Sequence, residues 1–220
     1  ALPNVRTGIV DYLQQSSKDF YVGNLVLESI WSPYTDFYTK LSIGYLEPMY
    51  GGIATEIMYK PFNRNTAFSY EYNDLQKRGF DQKFSFSDYK IKTSHLNIAH
   101  YHSRTNILAK WSYGTYLAGD IGYTFDISRR MPNGWRAGFW YSNTNVSAEQ
   151  FGEGSFDKGF YIHAPLSIFS KNYSKDVQAF SLRSMTRDGG QKLELRNRLI
   201  DSFYGSSFDE FNENWSNYLD

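Results

Sequence analysis

The feature that most limits what this chain can fold into is an alternation of period two, sustained over runs of roughly ten residues. From 119 to 128, Gly119, Ile121, Tyr123, Phe125 and Ile127 fall on one side, and Asp120, Gly122, Thr124, Asp126 and Ser128 on the other. Side chains alternate in this way only along a strand. Segment 135–143 sets Trp135, Ala137, Phe139 and Tyr141 against Arg136, Gly138 and Ser142, with Trp140 interrupting the polar side. Segment 66–73 sets Phe68, Tyr70 and Tyr72 against Ala67, Ser69, Glu71 and Asn73. Segments 37–45 and 53–60 repeat the pattern, with Lys40, Ser42, Ala54 and Glu56 on their polar sides. Fainter runs lie near 20–30, 92–102, 106–115, 159–167 and 177–185. Together they predict about ten strands of roughly ten residues each, the length a tilted strand needs to cross a bilayer. Strands in soluble proteins average nearer five or six residues.

Turn residues separate the runs: Ser32-Pro33, Glu47-Pro48 before Gly51-Gly52, Pro61 to Asn65, Ser103 to Asn106, and Pro132-Asn133-Gly134, a strong hairpin signal. Two connections read as much longer, about 74–90 and 144–158. They follow the fourth and eighth strands, so both fall at one end of an up-and-down sheet, as the long loops of outer-membrane barrels do.

Composition narrows the classes further. The chain has 220 residues, 23 basic and 23 acidic side chains, and no cysteine. Balanced charge argues against a nucleic-acid binder. Without cysteine there is no disulfide framework, thiolate metal site or cysteine nucleophile. Tyr, Phe and Trp make up 19% of residues, a surplus that suits a boundary where one end of a ring is apolar and the other wet. No apolar stretch is long enough for a transmembrane helix. Nor does a signal peptide open the chain, so Ala1 reads as the start of a mature chain or a fragment.

The polar faces carry Glu56, Glu71, Lys110, Asp120, Asp126 and Arg136, and also Arg183. In a small sealed barrel each charge would need a buried partner at considerable cost; in a wide hydrated lumen it would need none. The expected reading is therefore a membrane barrel with these six residues facing its lumen. The alternative, polar faces outward around an aromatic core, is a soluble barrel, and periodicity does not separate the two.

Segment 151–159 combines three glycines with Glu153, Asp157 and Lys158. It reads foremost as a tight loop or loop-lined pore, with Phe151, Glu153, Phe156, Asp157 and Lys158 as pore or glycan contacts. Paired carboxylates there would also suit acid–base work on a glycosidic bond, and the spacing does not match an EF-hand. His95, His100 and His102 share one candidate strand, with His95 on the face opposite the other two; a lumen or rim position is expected rather than a metal site. No nucleophile elbow, P-loop or dinucleotide fingerprint is present. Residues 4–17 read as irregular with a helical turn near Val10 to Leu13. Phe208, Phe211, Trp215 and Leu219 space a short amphipathic helix over 207–219.

Four stretches then carry a family resemblance. They are Gly44 to Gly52 with Glu56 and Tyr59-Lys60-Pro61-Phe62; Tyr116 to Gly122 running to Arg129; Asn133-Gly134-Trp135 with Thr144 to Ser147 and Phe151 to Gly159; and Asp188-Gly189-Gly190. In order and spacing they resemble the YjbH/GfcD family of Gram-negative exopolysaccharide and capsule proteins, over about residues 4–200. The resemblance implies an outer-membrane β-barrel protein, often lipid-anchored at its own N-terminus, that helps assemble or export a polymer. It supplies no catalytic residues. Family members are much longer, so the chain looks like their C-terminal part, either a single β-barrel domain over 1–220 or a portion of a larger barrel. The ending Tyr218-Leu219-Asp220 differs from the terminal aromatic of ordinary outer-membrane barrels.

The expectation is an all-β, antiparallel up-and-down barrel of the outer-membrane type with about ten or more strands and a short C-terminal helix. It is expected to act without catalysis, cofactor or metal. Its expected partners are outer-membrane lipid, a polysaccharide, the N-terminal remainder of the same protein and other export proteins, but no nucleic acid. A soluble periplasmic carbohydrate-binding barrel and a barrel-borne glycan or lipid hydrolase are the alternatives.

Overall fold

A computed structural model describes residues 3–16, 20–131, 134–147, 156–165, 177–183 and 188–202. Ten strands form one antiparallel sheet in which each pairs with the next in sequence. They are β1 (Leu25–Tyr34), β2 (Phe37–Tyr45), β3 (Tyr50–Tyr59), β4 (Thr66–Arg78), β5 (Phe86–His102), β6 (Ile107–Thr115), β7 (Ile121–Arg130), β8 (Arg136–Thr144), β9 (Asp157–Pro165) and β10 (Val177–Arg183). Helix α1 (Ile9–Ser16) precedes the sheet, and a single turn, α2 (Leu199–Ser202), follows it. Among the described residues β1 and β10 do not pair with each other, so the sheet is an open meander and closure into a barrel is not seen. The helix expected at 207–219 lies outside the described residues.

The alternation of the sequence sets which side chain faces where. All ten strands put large apolar side chains on one exposed face, among them Leu27, Ile43, Ile57, Phe68, Tyr70, Leu96, Trp111, Ile121, Phe139, Phe160 and Phe180. The rings pack across strands, as where Tyr123 and Phe125 each lie 6.0 Å from Tyr141. The opposite face is buried and polar: Lys40, Ser42, Glu56, Ser69, Glu71, Asn73, Thr93, His95 and Asn97 are all nearly inaccessible. A water-soluble sheet has the reverse polarity.

Two glycine pairs face each other across neighbouring strands. Gly44 opposes Gly52, and Gly114 opposes Gly122. Gly44 and Gly52 have φ of 131° and 145°, values that side-chain-bearing residues rarely adopt. A Cβ at Gly114 would stand 1.8 Å from the Ser94 carbonyl oxygen, so the strands close up only because that atom is missing. Bare glycines of this kind are how sheets curl.

Two connections differ from expectation. Most of 74–90 is strand, because β4 and β5 pair out to Arg78 and Phe86 and leave a tight turn at 79–85. Glycine and charge clustering there marks long hairpin arms, since polar residues on the solvated ends of strands look locally like a loop. The β9–β10 connection, 166–176, is also long and lies at the opposite end from 145–156, so long connections are not confined to one end.

Candidate functional site

The buried face is not empty. Residues 188–202, here called the strap, cross it from one side of the sheet to the other. At its start, the Gly190 amide donates to Asp120 (2.8 Å) and the Gln191 side-chain amide to Asp157 (2.6 Å). The Leu117 amide donates to the Gln191 carbonyl. Further along, Lys40 on β2 donates to the carbonyls of Arg196 and Asn197 (2.7 and 3.0 Å), and pairs with Glu28 on β1 (2.8 Å). Glu56 on β3 then accepts the amides of Leu199 and Ile200 (2.7 and 3.0 Å), the first-turn donors that a helix of one turn has no other way to satisfy. Lys110 on β6 pairs with Asp201 (2.8 Å).

The N-terminal segment locks onto the same framework. Arg6 forms a bidentate pair with Glu47, in the β2–β3 turn, whose second oxygen also accepts the Glu194 amide (2.7 Å). Burial opposes the guanidinium charge, but Glu47 more than offsets it, so the Arg6 pKa lies above its usual value. Asp188 accepts the amides of Val5, Arg6 and Thr7 and the Thr7 hydroxyl. Val5, Tyr12, Leu46, Met49, Leu75, Leu117 and Leu193 form an apolar cluster at this end of the interior. Met58, Ala67, Ala99, Leu108, Leu199 and Ile200 form another at the far end.

Between the two clusters runs a charged row fixed by strand register. Lys40 stands opposite Glu56, Glu56 opposite Glu71, and Glu71 opposite His95. Arg198 of the strap reaches Glu71 at 3.4 Å. His95 meets the edge of the Tyr116 ring at 4.9 Å. Beside the row lies a cavity of about 160 Å³ between the strap and strands β5–β8, lined by residues that include Lys110, Asp126, Trp140, Lys192, Arg198 and Asp201. In it burial raises and Lys110 and Arg198 lower the pKa of Asp201, which ends at about 2. Burial and then Arg198 push Lys192 down to about 7.

Of the residues singled out in the sequence, Glu56, Glu71, Lys110, Asp120, Asp126 and Arg136 all stand on the polar face, but not as solvated charges. Glu56, Lys110 and Asp120 hold the strap, Glu71 faces Arg198, Asp126 accepts from the Tyr161 hydroxyl (3.0 Å), and Arg136 donates to Ser128 (3.1 Å). The expectation that they need no partner is corrected: the chain's own strap occupies the space where water was expected. Asp157 is the first residue of β9, buried against Gln191, rather than a loop tip. Lys158 lies over the Phe156 ring at 4.6 Å, and Phe156 meets the edge of Tyr141. Phe151 and Glu153 lie outside the described residues. Sequence reasoning missed Arg6, Gln191, Lys192 and Arg198, and gave no role to Lys40, Glu47 and Asp188, although it placed Lys40 on a polar face and the other two in the stretches that carry the resemblance. The signal available was the alternation of Lys192, Glu194, Arg196 and Arg198 with Leu193, Leu195 and Leu199, a pattern that reads locally as one more strand rather than as a strap.

Fold and site define the class: an all-β antiparallel meander with apolar side chains outside and a hydrogen-bonded polar strap inside. The chain belongs to the YjbH family, whose model, described as "Exopolysaccharide biosynthesis protein YbjH", matches residues 1–203. It is 38% identical over 204 residues to a protein of Escherichia coli (strain K12) named "Uncharacterized lipoprotein YjbH". That match covers 91% of this chain and 29% of the relative's length. No solved structure matches. Each of the four stretches that carried the resemblance supplies one residue, Glu47, Asp120, Asp157 and Asp188 in turn, so the motifs converge on the strap and the N-terminal segment.

Proposed function

We propose that this chain is a section of an outer-membrane β-barrel wall that serves exopolysaccharide assembly or export. The observation that carries the reading is the inverted polarity of the sheet, apolar outside and polar inside. Ten strands at about 4.8 Å spacing are roughly 48 Å across. An apolar band even 15 Å tall would then cover roughly 700 Å², more than the ~300–600 Å² a soluble monomer usually exposes. A nine-residue strand tilted by about 40° rises roughly 23 Å, close to the apolar height of outer-membrane barrels. Lipid is therefore the solvent that suits the outer face. The soluble carbohydrate-binding alternative needs these rings turned inward, and they point outward.

In this reading the chain acts without catalysis, as wall and internal lining, and the edges of β1 and β10, which pair with no further strand among the described residues, join strands from the rest of a longer protein. Family membership supports the link to exopolysaccharide, and the lipoprotein relative supports an envelope location. The test is fractionation of the native protein, followed by gel mobility with and without heating. Recovery in the outer membrane with a heat-dependent shift is expected. A protein soluble without detergent would overturn the reading.

A further inference from the structure

The cavity beside the charged row has walls of two kinds. Lys110, Asp126, Lys192, Arg198 and Asp201 give it charged hydrogen-bonding groups, while Trp140 and Ile200 give it an apolar side. Trp140 is the residue that breaks the polar alternation of β8, and its register partners are Asp126 and Gly159, so a bare backbone lies at its flank. A cavity meant only for water would gain nothing from an indole. A pyranose ring has the same split character, with apolar C–H faces and a polar rim, and an indole offers the flat apolar surface such a face packs on. At about 160 Å³, roughly five times the ~30 Å³ share of one water, the space suits a single sugar ring rather than a chain.

Charge narrows the choice of sugar. Lys110 is paired with Asp201, and Arg198 faces Glu71. Lys192 has no carboxylate within ion-pair distance among the described residues; its ammonium lies 5.9 Å from the Tyr116 ring centre. Burial and then Arg198 lower its pKa, and the more distant carboxylates of Glu71 and Asp201 offset only part of that.

We propose that this cavity is a subsite for one carboxylate-bearing pyranose unit, a hexuronate, with Trp140 under the ring and Lys192 facing the carboxylate. The proposal rests on the polysaccharide reading above and names the class of sugar. A single weak subsite of this kind suits passage of a polymer, since tight binding would stall it.

The test is saturation-transfer NMR on the full-length protein in an amine-oxide detergent, with methyl glucuronide and methyl glucoside as probes. Ring protons of both sugars are expected to saturate, the glucuronide binding at least about fivefold tighter. Lys192→Met is expected to bring the glucuronide to the level of the glucoside, and Trp140→Ala to abolish both signals. Heat-modifiable mobility reports whether each variant folds, and Trp140→Phe, expected to keep part of the signal, replaces Trp140→Ala if that variant does not. Saturation of neither sugar, equal affinity for both, or signals unmoved by the substitutions would overturn the proposal. A negative result from a protein that still fractionates with the outer membrane and supports polymer export overturns this inference alone.

Discussion

On β4, Phe68, Tyr70 and Tyr72 lie exposed on one face, while Ser69, Glu71 and Asn73, one residue away each, are buried on the other. The two faces of this sheet follow opposite rules. The outer face is held by ring-to-ring contact between neighbouring strands and leaves its apolar surface open. The inner face is held by specific hydrogen bonds to a segment distant in sequence. The first needs only hydrophobic character and will tolerate exchange of one apolar residue for another. The second depends on particular atoms, because a buried charge that loses its partner costs far more than the pair contributes. A polar face can thus be the more exacting of the two.

The largest effect is expected on the inner side. Glu47→Ala would strip Arg6 of its bidentate partner while the guanidinium stays buried, and about 3–5 kcal/mol of stability should be lost. The midpoint of the heat- or denaturant-induced mobility shift measures it. A loss below about 1 kcal/mol would mean that water replaces the carboxylate, and that the inner face is as forgiving as the outer.

Ile57→Arg probes the outer face directly. A lipid-facing arginine should cost up to about 2–4 kcal/mol, by depth, and reduce insertion into the outer membrane. At an exposed site in water the same change would stay within about 0.5 kcal/mol. The two outcomes separate the solvents of that face.

Smaller effects refine the picture. Glu56→Gln keeps an acceptor for one of the two strap amides and sets its own NH2 against the other, and relief of repulsion from neighbouring Glu71 offsets part of that; about 1–2 kcal/mol is expected, with faster hydrogen exchange at Leu199 and Ile200. Lys92→Ala removes an exposed 3.6 Å pair with Asp74 and should change the midpoint by less than about 0.5 kcal/mol.

The pH response of the Lys110–Asp201 pair should be smaller still. The folded Asp201 pKa lies at about 2, below its ordinary 3.8. Its stabilising contribution is therefore complete above the ordinary value and lost only as the pH falls through about 2. The coupling between Lys110 and Asp201, measured by a double-mutant cycle of Lys110→Met and Asp201→Asn, should be the same at about pH 7 and about pH 4.5.

How far the sequence reaches is clearest along β7 and along the strap. In β7, Tyr123, Phe125 and Ile127 against Thr124, Asp126 and Ser128 define a strand and its two faces, because side-chain alternation is a local property of extended backbone. Local rules also place the ten strands in order, since short connections force neighbours in an up-and-down sheet to pair. They do not fix strand ends: 74–78 reads as loop because its pairing partner, 86–92, supplies the order. Nor do they reveal the strap: 192–199 alternates charged residues with leucines as a strand would, yet takes its conformation from Lys40 on β2, Glu56 on β3, Asp120 just before β7 and Asp157 on β9.

The sequence by itself therefore determined the all-β antiparallel class, the strand count, the division into an apolar and a polar face, and the family. Only the tertiary structure decided what the polar face meets. Hydrogen bonds between Asp188 and Val5, or between Leu199 and Glu56, join residues far apart in the chain, and long-range partners leave no periodic mark on the sequence.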